Sequence, residues 1–272
     1  MARIAHLSDV HFGAEDPAVV EGAIADVAAF APDVTVVSGD LSQRAKTSEF
    51  RAARAFLDRL PGAGDGRLVV VPGNHDVPLF NLVRRALAPR ERFRREITAD
   101  RTPFVWTAGA AVLGLDTSRP ERWKNGDLED DDLQAIARYL TPVPATELKV
   151  VVTHHPFVPP PNKPDAHIVV GAAAALAAAE RAGVDLLLSG HRHTVHRGDV
   201  RGTHPHVARG MLLVMAGTAT SVRVRGEANS WTAIEGDAAE VVIHDRVWDG
   251  DAFAAGEDDR YRRRDGTWEQ QG

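Results

Sequence analysis

Five short runs in this 272-residue chain pair a stretch of apolar residues with side chains that can bind a metal. Asp9-Val10-His11 follows Ile4–Leu7, Gly39-Asp40 follows Val34–Val37, and Gly73-Asn74-His75-Asp76 follows Leu68–Val71. Thr153-His154-His155 follows Val150–Val152, and Gly190-His191-Arg192-His193 follows Leu186–Leu188. Carboxylate, imidazole and a side-chain amide form a hard to borderline donor set suited to Mn²⁺, Fe or Zn²⁺. The chain has no cysteine, which removes disulfides and thiolate ligation. Asp9, His11, Asp40, Asn74, His154, His191 and His193 exceed the needs of one tetrahedral ion and suffice for two that share a carboxylate. Asp40, alone on its loop, is the natural bridge. Such a pair lowers the pKa of a shared water and clamps phosphoryl oxygens during attack by the bridging hydroxide. His75 is then left beside the metals as a proton donor or charge stabiliser, with Asp76 expected to hold its ring. Taken alone, Gly73–Asp76 also reads as an ordinary helix N-cap, and it is the other four runs that favour a site.

Ligands scattered from residue 9 to residue 193 need a scaffold that delivers strand ends to one edge. Apolar runs of four or five residues, alternating with helical spacing over Pro17–Phe30 and Ser48–Leu60, predict a βαβαβ start with a parallel sheet. Gly73 is read as permitting a sharp turn. Leu79–Arg101 has helical spacing and is crowded with Arg. It reads either as a basic flank for a phosphate or, preferably, as a solvated face balanced by Glu91, Glu96 and Asp100. Phe104–Trp106 and Ala111–Leu115 predict paired strands, and Asp130–Leu140 predicts a helix with an acidic first turn. The proline-rich run 156–164 is expected to wall a cleft over His154. Val169–Ala182 predicts an Ala-rich helix and Val184–Ser189 a strand. Further on, Met211–Ala216, Ser221–Val224, Ser230–Glu235 and Glu240–Val247 predict strands. Residues 1–255 are expected to form a single domain ending in a β-hairpin region over about 211–248, and 256–272 a flexible polar tail. His6 reads as a core histidine, and His196, His204 and His206 as surface groups.

Composition narrows the function classes. A formal charge of −6 argues against a dedicated nucleic-acid partner. No run reaches the roughly 18 apolar residues of a membrane span, and no leader pattern opens the chain, so a cytoplasmic protein is expected. A homodimer is left open.

With the five motifs in place, the chain closely resembles the calcineurin-like metallophosphoesterases, over about Ile4 to Ser221. That resemblance implies a four-layer α/β/β/α sandwich of two mixed sheets flanked by helices, with a dinuclear centre at one edge. It assigns Asp9, His11, Asp40 and His193 to one metal, and Asp40, Asn74, His154 and His191 to the other, with His75 as the catalytic histidine. Leu7–Gly13, Thr153–Pro156, Ala216–Ser221 and Asn229-Ser230-Trp231 look most like the bacterial class III cyclic nucleotide phosphodiesterase and glycerophosphodiesterase branch. The expected partner is therefore a small phosphate ester, preferably a diester, with His155 as a further substrate contact or a packed second-layer imidazole. Alternatives are a phosphomonoesterase on the same scaffold, a nuclease, and a non-catalytic scaffold, the last marked by ligand loss that this chain does not show.

Overall fold

The computed structural model describes residues 1–271 except 80, 123, 161, 162, 164 and 225. Strands β1 (Ala2–Leu7), β2 (Val34–Ser38) and β3 (Leu68–Val71) run parallel, joined by helices α1 (Pro17–Phe30) and α2 (Thr47–Leu57). The start of α1 is fixed by Asp16, whose side chain accepts from the Ala18 N–H, with Pro17 in the first turn. Two short helices follow, α3 (Leu82–Leu87) and α4 (Glu91–Glu96), then the antiparallel pair β4 (Phe104–Thr107) and β5 (Ala110–Gly114). Next come α5 (Asp130–Leu140), β6 (Leu148–Val152), α6 (Ala172–Ala182) and β7 (Leu186–Ser189). The chain ends in strands β8 (His196–Asp199), β9 (Leu212–Met215), β10 (Ser230–Gly236), β11 (Glu240–Trp248), β12 (Phe253–Arg264) and β13 (Thr267–Gln271).

These strands form two mixed sheets, ordered β13-β12-β11-β10-β1-β2-β3 and β4-β5-β6-β7-β9-β8. The apolar runs alternate between two buried destinations, as a period of two requires. Ile4, Val36 and Val71 point into a layer shared with Val112, Val150, Val152, Leu186 and Leu188 of the other sheet. Their chain neighbours point outward: Leu7, Val37 and Val70 pack against α1 and α2, and Leu113, Val151 and Leu187 against α5 and α6. The result is the expected four-layer α/β/β/α sandwich. It aligns the C-terminal ends of β1, β2, β3, β6 and β7.

Several local expectations fail for physical reasons. The segment 256–272, read as a flexible tail, supplies most of β12 and all of β13. Tyr261 and Trp268 bury themselves in the inter-sheet layer, and the charges pair with distant parts of the chain: Arg262 with Glu240 of β11 at 2.8 Å and Arg263 with Asp185, just before β7, at 2.6 Å. The Arg-rich stretch breaks into α3 and α4 because Ala88 precedes Pro89 and leaves the helical region (φ −150°). Residues 221–224 form no strand beyond a single bridge from Ser221 to Glu15. Residues 161, 162 and 164 of the proline-rich run lie outside the described residues. Phe157 and Val158 of that run are buried against α5 and α6 instead of walling a cleft. His6 is a core residue as expected, its Nε2 2.9 Å from the Ser38 hydroxyl.

Candidate metal centre

Each of the five motif loops leaves a parallel strand at the same end, and the loops then bind one another. Asp9 N–H donates to Gly39 O at 3.1 Å, His11 N–H to Asp40 O at 2.9 Å, and Gly190 N–H to His154 O at 3.1 Å. Side chains add to this lacing. The His75 N–H donates to Asp40 Oδ1 at 2.8 Å, and the His191 N–H to Asp9 Oδ2 at 2.9 Å. The backbone is strained where candidate ligands stand: Asp9, His11, Asp40, His191 and His193 all have φ between 47° and 73°. Left-handed backbone at non-glycine residues is costly, and its concentration here marks a site that the surrounding fold over-determines.

Motif glycines permit the crowding. Gly39 has φ +92° and would need a Cβ 2.7 Å from His154 Nδ1. Gly73, expected to serve a sharp turn, has an ordinary φ of −104°. What it permits is close approach, since a Cβ there would lie 2.1 Å from Asp40 Oδ1.

The seven expected ligands converge as two sets. Asp9 Oδ1 lies 3.6 Å from His11 Nε2 and 3.5 Å from His193 Nε2, and His11 Nε2 lies 3.6 Å from Asp40 Oδ2. On the other side, Asn74 Oδ1 lies 2.9 Å from His191 Nδ1 and 3.2 Å from His154 Nε2. These two nitrogens are 3.2 Å apart, and His154 Nε2 is 3.5 Å from the same Asp40 Oδ2. Separations of 3.5–3.6 Å are too long for hydrogen bonds. They match the edge of about 3.4 Å in a tetrahedron of ligands held at about 2.1 Å from an ion. Asp9 Oδ1 and His11 Nε2 are buried and have no hydrogen-bond partner among the described residues. Buried polar atoms left this way are rare, and an ion would satisfy them. Asp40 Oδ2 stands between the sets, as a bridging carboxylate would. Two of the candidate ligands are oriented through their other ring nitrogen: His193 Nδ1 is 2.7 Å from Thr218 Oγ1 and His154 Nδ1 2.8 Å from Ser38 O.

Charged and titratable groups in the cluster shift one another. Burial disfavours ionisation of Asp40, but His154 outweighs it and holds the carboxyl well below its usual range. Burial likewise opposes a charge on His154, but Asp40 lifts it to about 9. Burial and the neighbouring His154 then press His191 down to about 3.

His75 sits beside this cluster, its ring 4.9 Å from that of His11 in an edge contact. Its anchor is not Asp76. His75 Nδ1 lies 2.9 Å from the carbonyl of Gln43, which can only accept. Nδ1 therefore carries the hydrogen, and Nε2 faces the cleft as an acceptor, 3.3 Å from Nη1 of Arg223. Burial lowers the pKa of this imidazole against the pull of Asp40. Asp76 instead ties two loops together, accepting from the N–H groups of Leu41, Ser42 and Gly73 and from the Ser42 hydroxyl at 2.8–3.1 Å. Burial, then the Asp40 charge, raises its pKa to about 6. His155 is fully buried behind the centre, its Nδ1 2.8 Å from Thr117 Oγ1 and its ring 4.8 Å from that of His191. It does not line the cleft, and a ring nitrogen of each of His154, His155 and His191 lies within 4.8 Å of the others.

That cleft has a volume of about 410 Å³. Asp40, Asn74, His75, His191 and His193 form part of its lining, and Gln43, Arg44, Lys124 and Arg223 supply the rest of its polar wall. None of these last four stands out in the sequence, because each is a single polar residue in a loop. The Arg-rich segment, preferably read as a face balanced by acidic residues, is engaged away from the cleft: Arg84 pairs with Glu91 at 2.7 Å, Arg90 with Asp116 at 3.1 Å, and Arg92 donates to Ala45 O at 2.7 Å.

Two sheets flanked by helices, with two ligand sets at one edge, define the class, and comparison with known proteins agrees. The calcineurin-like phosphoesterase family model matches residues 2–195, and the chain belongs to that family. Curated proteins yield no match. Among solved structures, the purple acid phosphatase PPD1 from yellow lupin (Lupinus luteus) superposes with a TM-score of 0.68 at 11% identity, over 93% of this chain and 52% of that one. This chain thus spans about half of the lupin protein's length. A dimetal phosphatase from Danio rerio gives 0.60 at 13% identity, over 95% of this chain and 98% of that one. GAP50, the anchor in the inner membrane complex of Plasmodium, gives 0.55 at 14% identity, over 94% and 88%. At these identities the likeness is one of fold. Among the described residues no helix is long and apolar enough to cross a membrane.

Proposed function

We propose that this chain is a dinuclear-metal phosphodiesterase that hydrolyses cyclic nucleotides or other small phosphodiesters. The observation that carries the reading is the convergence of two ligand sets on Asp40 Oδ2 beneath a cleft walled by Arg44, Lys124 and Arg223. Asp9, His11, Asp40 and His193 would hold one ion, and Asp40, Asn74, His154 and His191 the other. Mn, Fe and Zn all suit that donor set. Two bound ions would supply an activated water and neutralise phosphoryl charge. The protein's own part is to place the ester. The cations attract it, and His75, with Nε2 turned to the cleft, stands where a leaving oxygen could exchange a proton. Asp76 contributes by fixing the loop of Asp40 to that of Asn74. A cytoplasmic setting, expected from the sequence, belongs to the same reading.

The preference for a diester rests on the motif resemblance, and a phosphomonoesterase is the alternative that the names of the lupin and Danio rerio neighbours favour. The test is a rate comparison with Mn²⁺-loaded protein on bis-p-nitrophenyl phosphate, cyclic AMP and p-nitrophenyl phosphate. Faster turnover of the two diesters is expected. Cleavage of the monoester with both diesters untouched would exchange the proposal for its alternative.

A further inference from the structure

The surroundings of Arg223 do not account for its charge. It lies half-buried in the wall of the cleft over Asp40, Asn74 and His191. Its guanidinium meets two polar atoms, both through Nη1 at 3.3 Å: Oε1 of Gln43 and Nε2 of His75. Among the described residues no carboxylate pairs with it. Other half-buried arginines are matched to carboxylates, Arg246 to Asp26 at 2.6 Å and Arg263 to Asp185 at 2.6 Å among them. A guanidinium has five donors in a planar fork suited to phosphate oxygens, and here two long contacts engage only one nitrogen.

The backbone that leads into this cation is pinned. The Val222 N–H donates to Ala14 O at 2.9 Å. The Ser221 hydroxyl donates to the same carbonyl at 3.1 Å and accepts from the Arg223 N–H at 3.1 Å. Asn229 Nδ2 donates to Ser221 O at 2.9 Å. Ala14 belongs to the loop that carries Asp9 and His11, so Arg223 is held in register with the candidate ligands, its Nη1 3.3 Å from His75 Nε2.

We infer that Arg223 is a substrate-binding residue whose guanidinium grips a non-bridging oxygen of the phosphate ester on the His75 side of the cleft, with Gln43 aligning the fork. This deepens the phosphoesterase reading and rests on it. Inorganic phosphate is the probe, titrated calorimetrically into Mn²⁺-loaded wild type, Arg223→Met and Arg223→Lys, with the metal content of each measured alongside. Arg223→Met should keep its metal and bind phosphate roughly ten- to a hundredfold more weakly, the worth of one charge-assisted contact. Arg223→Lys should recover part of that loss, since it keeps the charge without the fork. In turnover assays KM should rise more than kcat falls. Unchanged phosphate affinity in Arg223→Met overturns the inference, and so does equal loss of metal and phosphate in both variants, the behaviour of a structural residue. A wild-type protein that binds phosphate through Arg223 yet turns over no ester would count against the phosphoesterase reading alone.

Discussion

Replacing Gly73 with Ala adds a single methyl group at the point where two metal-ligand loops touch. The new Cβ would lie 2.1 Å from Asp40 Oδ1, 2.3 Å from Asp40 N and 2.8 Å from Asp40 Cγ. The carboxylate would have to retreat by about 1 Å to reach even a tight contact, and the backbone nitrogen beside it has no rotamer through which to yield. Metal sites tolerate displacements of about 0.2 Å. Asp40 Oδ1 would also lose its hydrogen bond from the His75 N–H. Overpacking of this kind costs about 1–3 kcal/mol, which a domain of this size survives, so Gly73→Ala should fold. It should bind little metal at either set, and turnover should fall by at least about a hundredfold, the scale set by a 1 Å misplacement. Urea denaturation, metal analysis and ester hydrolysis read the three effects separately. Gly198→Ala is the control, because a Cβ there meets nothing within 4 Å. If Gly73→Ala held two ions and worked at the wild-type rate, the argument that close approach to Asp40 shapes the site would be wrong.

Two further perturbations separate chemistry from scaffold. His75→Ala should retain both metals while turnover falls by roughly 10²–10⁴-fold, the usual worth of positioned acid–base catalysis. Metal loss equal to that of an Asp40 variant would mean that His75 is a ligand. His6, buried with its pKa lowered from 6.5 to about 3 by desolvation against the pull of Asp9, should make stability fall in acid. The group is neutral in both states above pH 6.5. Below that the unfolded chain takes up a proton that the folded chain refuses, so stability is lost progressively down to about pH 3. At pH 5 the loss is about 2 kcal/mol. His6→Phe should show a shallower decline than wild type in urea melts between pH 7.5 and 5, and superimposable declines would refute the assignment.

The parts of this structure legible in the sequence are those written locally. A buried parallel strand is an apolar run, and a loop that follows it announces its candidate ligands by residue type. This is why Asp9, His11, Asp40, Asn74, His154, His191 and His193 could be named as candidates that the structure brings together, and why α1 and α5 fall on their expected bounds. What escaped depends on partners distant in the chain. β12 and β13 look like a solvated tail until Arg262 meets Glu240 and Tyr261 reaches the inter-sheet layer. β8 is four half-buried residues whose Arg197 pairs with Asp245 and Asp259. The anchor of His75 is a backbone carbonyl, which any residue at position 43 would offer, so the adjacent Asp76 was the natural but mistaken choice. Arg223 is one arginine between two valines, and its place opposite His75 follows from the pinning of residues 221–222 to Ala14.

The shared carboxylate is the centre of the account, and metal titration of the stripped protein tests it most directly. Wild type should take up two ions per chain, and Asp40→Ala neither with comparable affinity, because Asp40 Oδ2 stands within 3.6 Å of His11 Nε2 on one side and 3.5 Å of His154 Nε2 on the other. An Asp40→Ala protein that still bound one ion with wild-type affinity would contradict a common bridge.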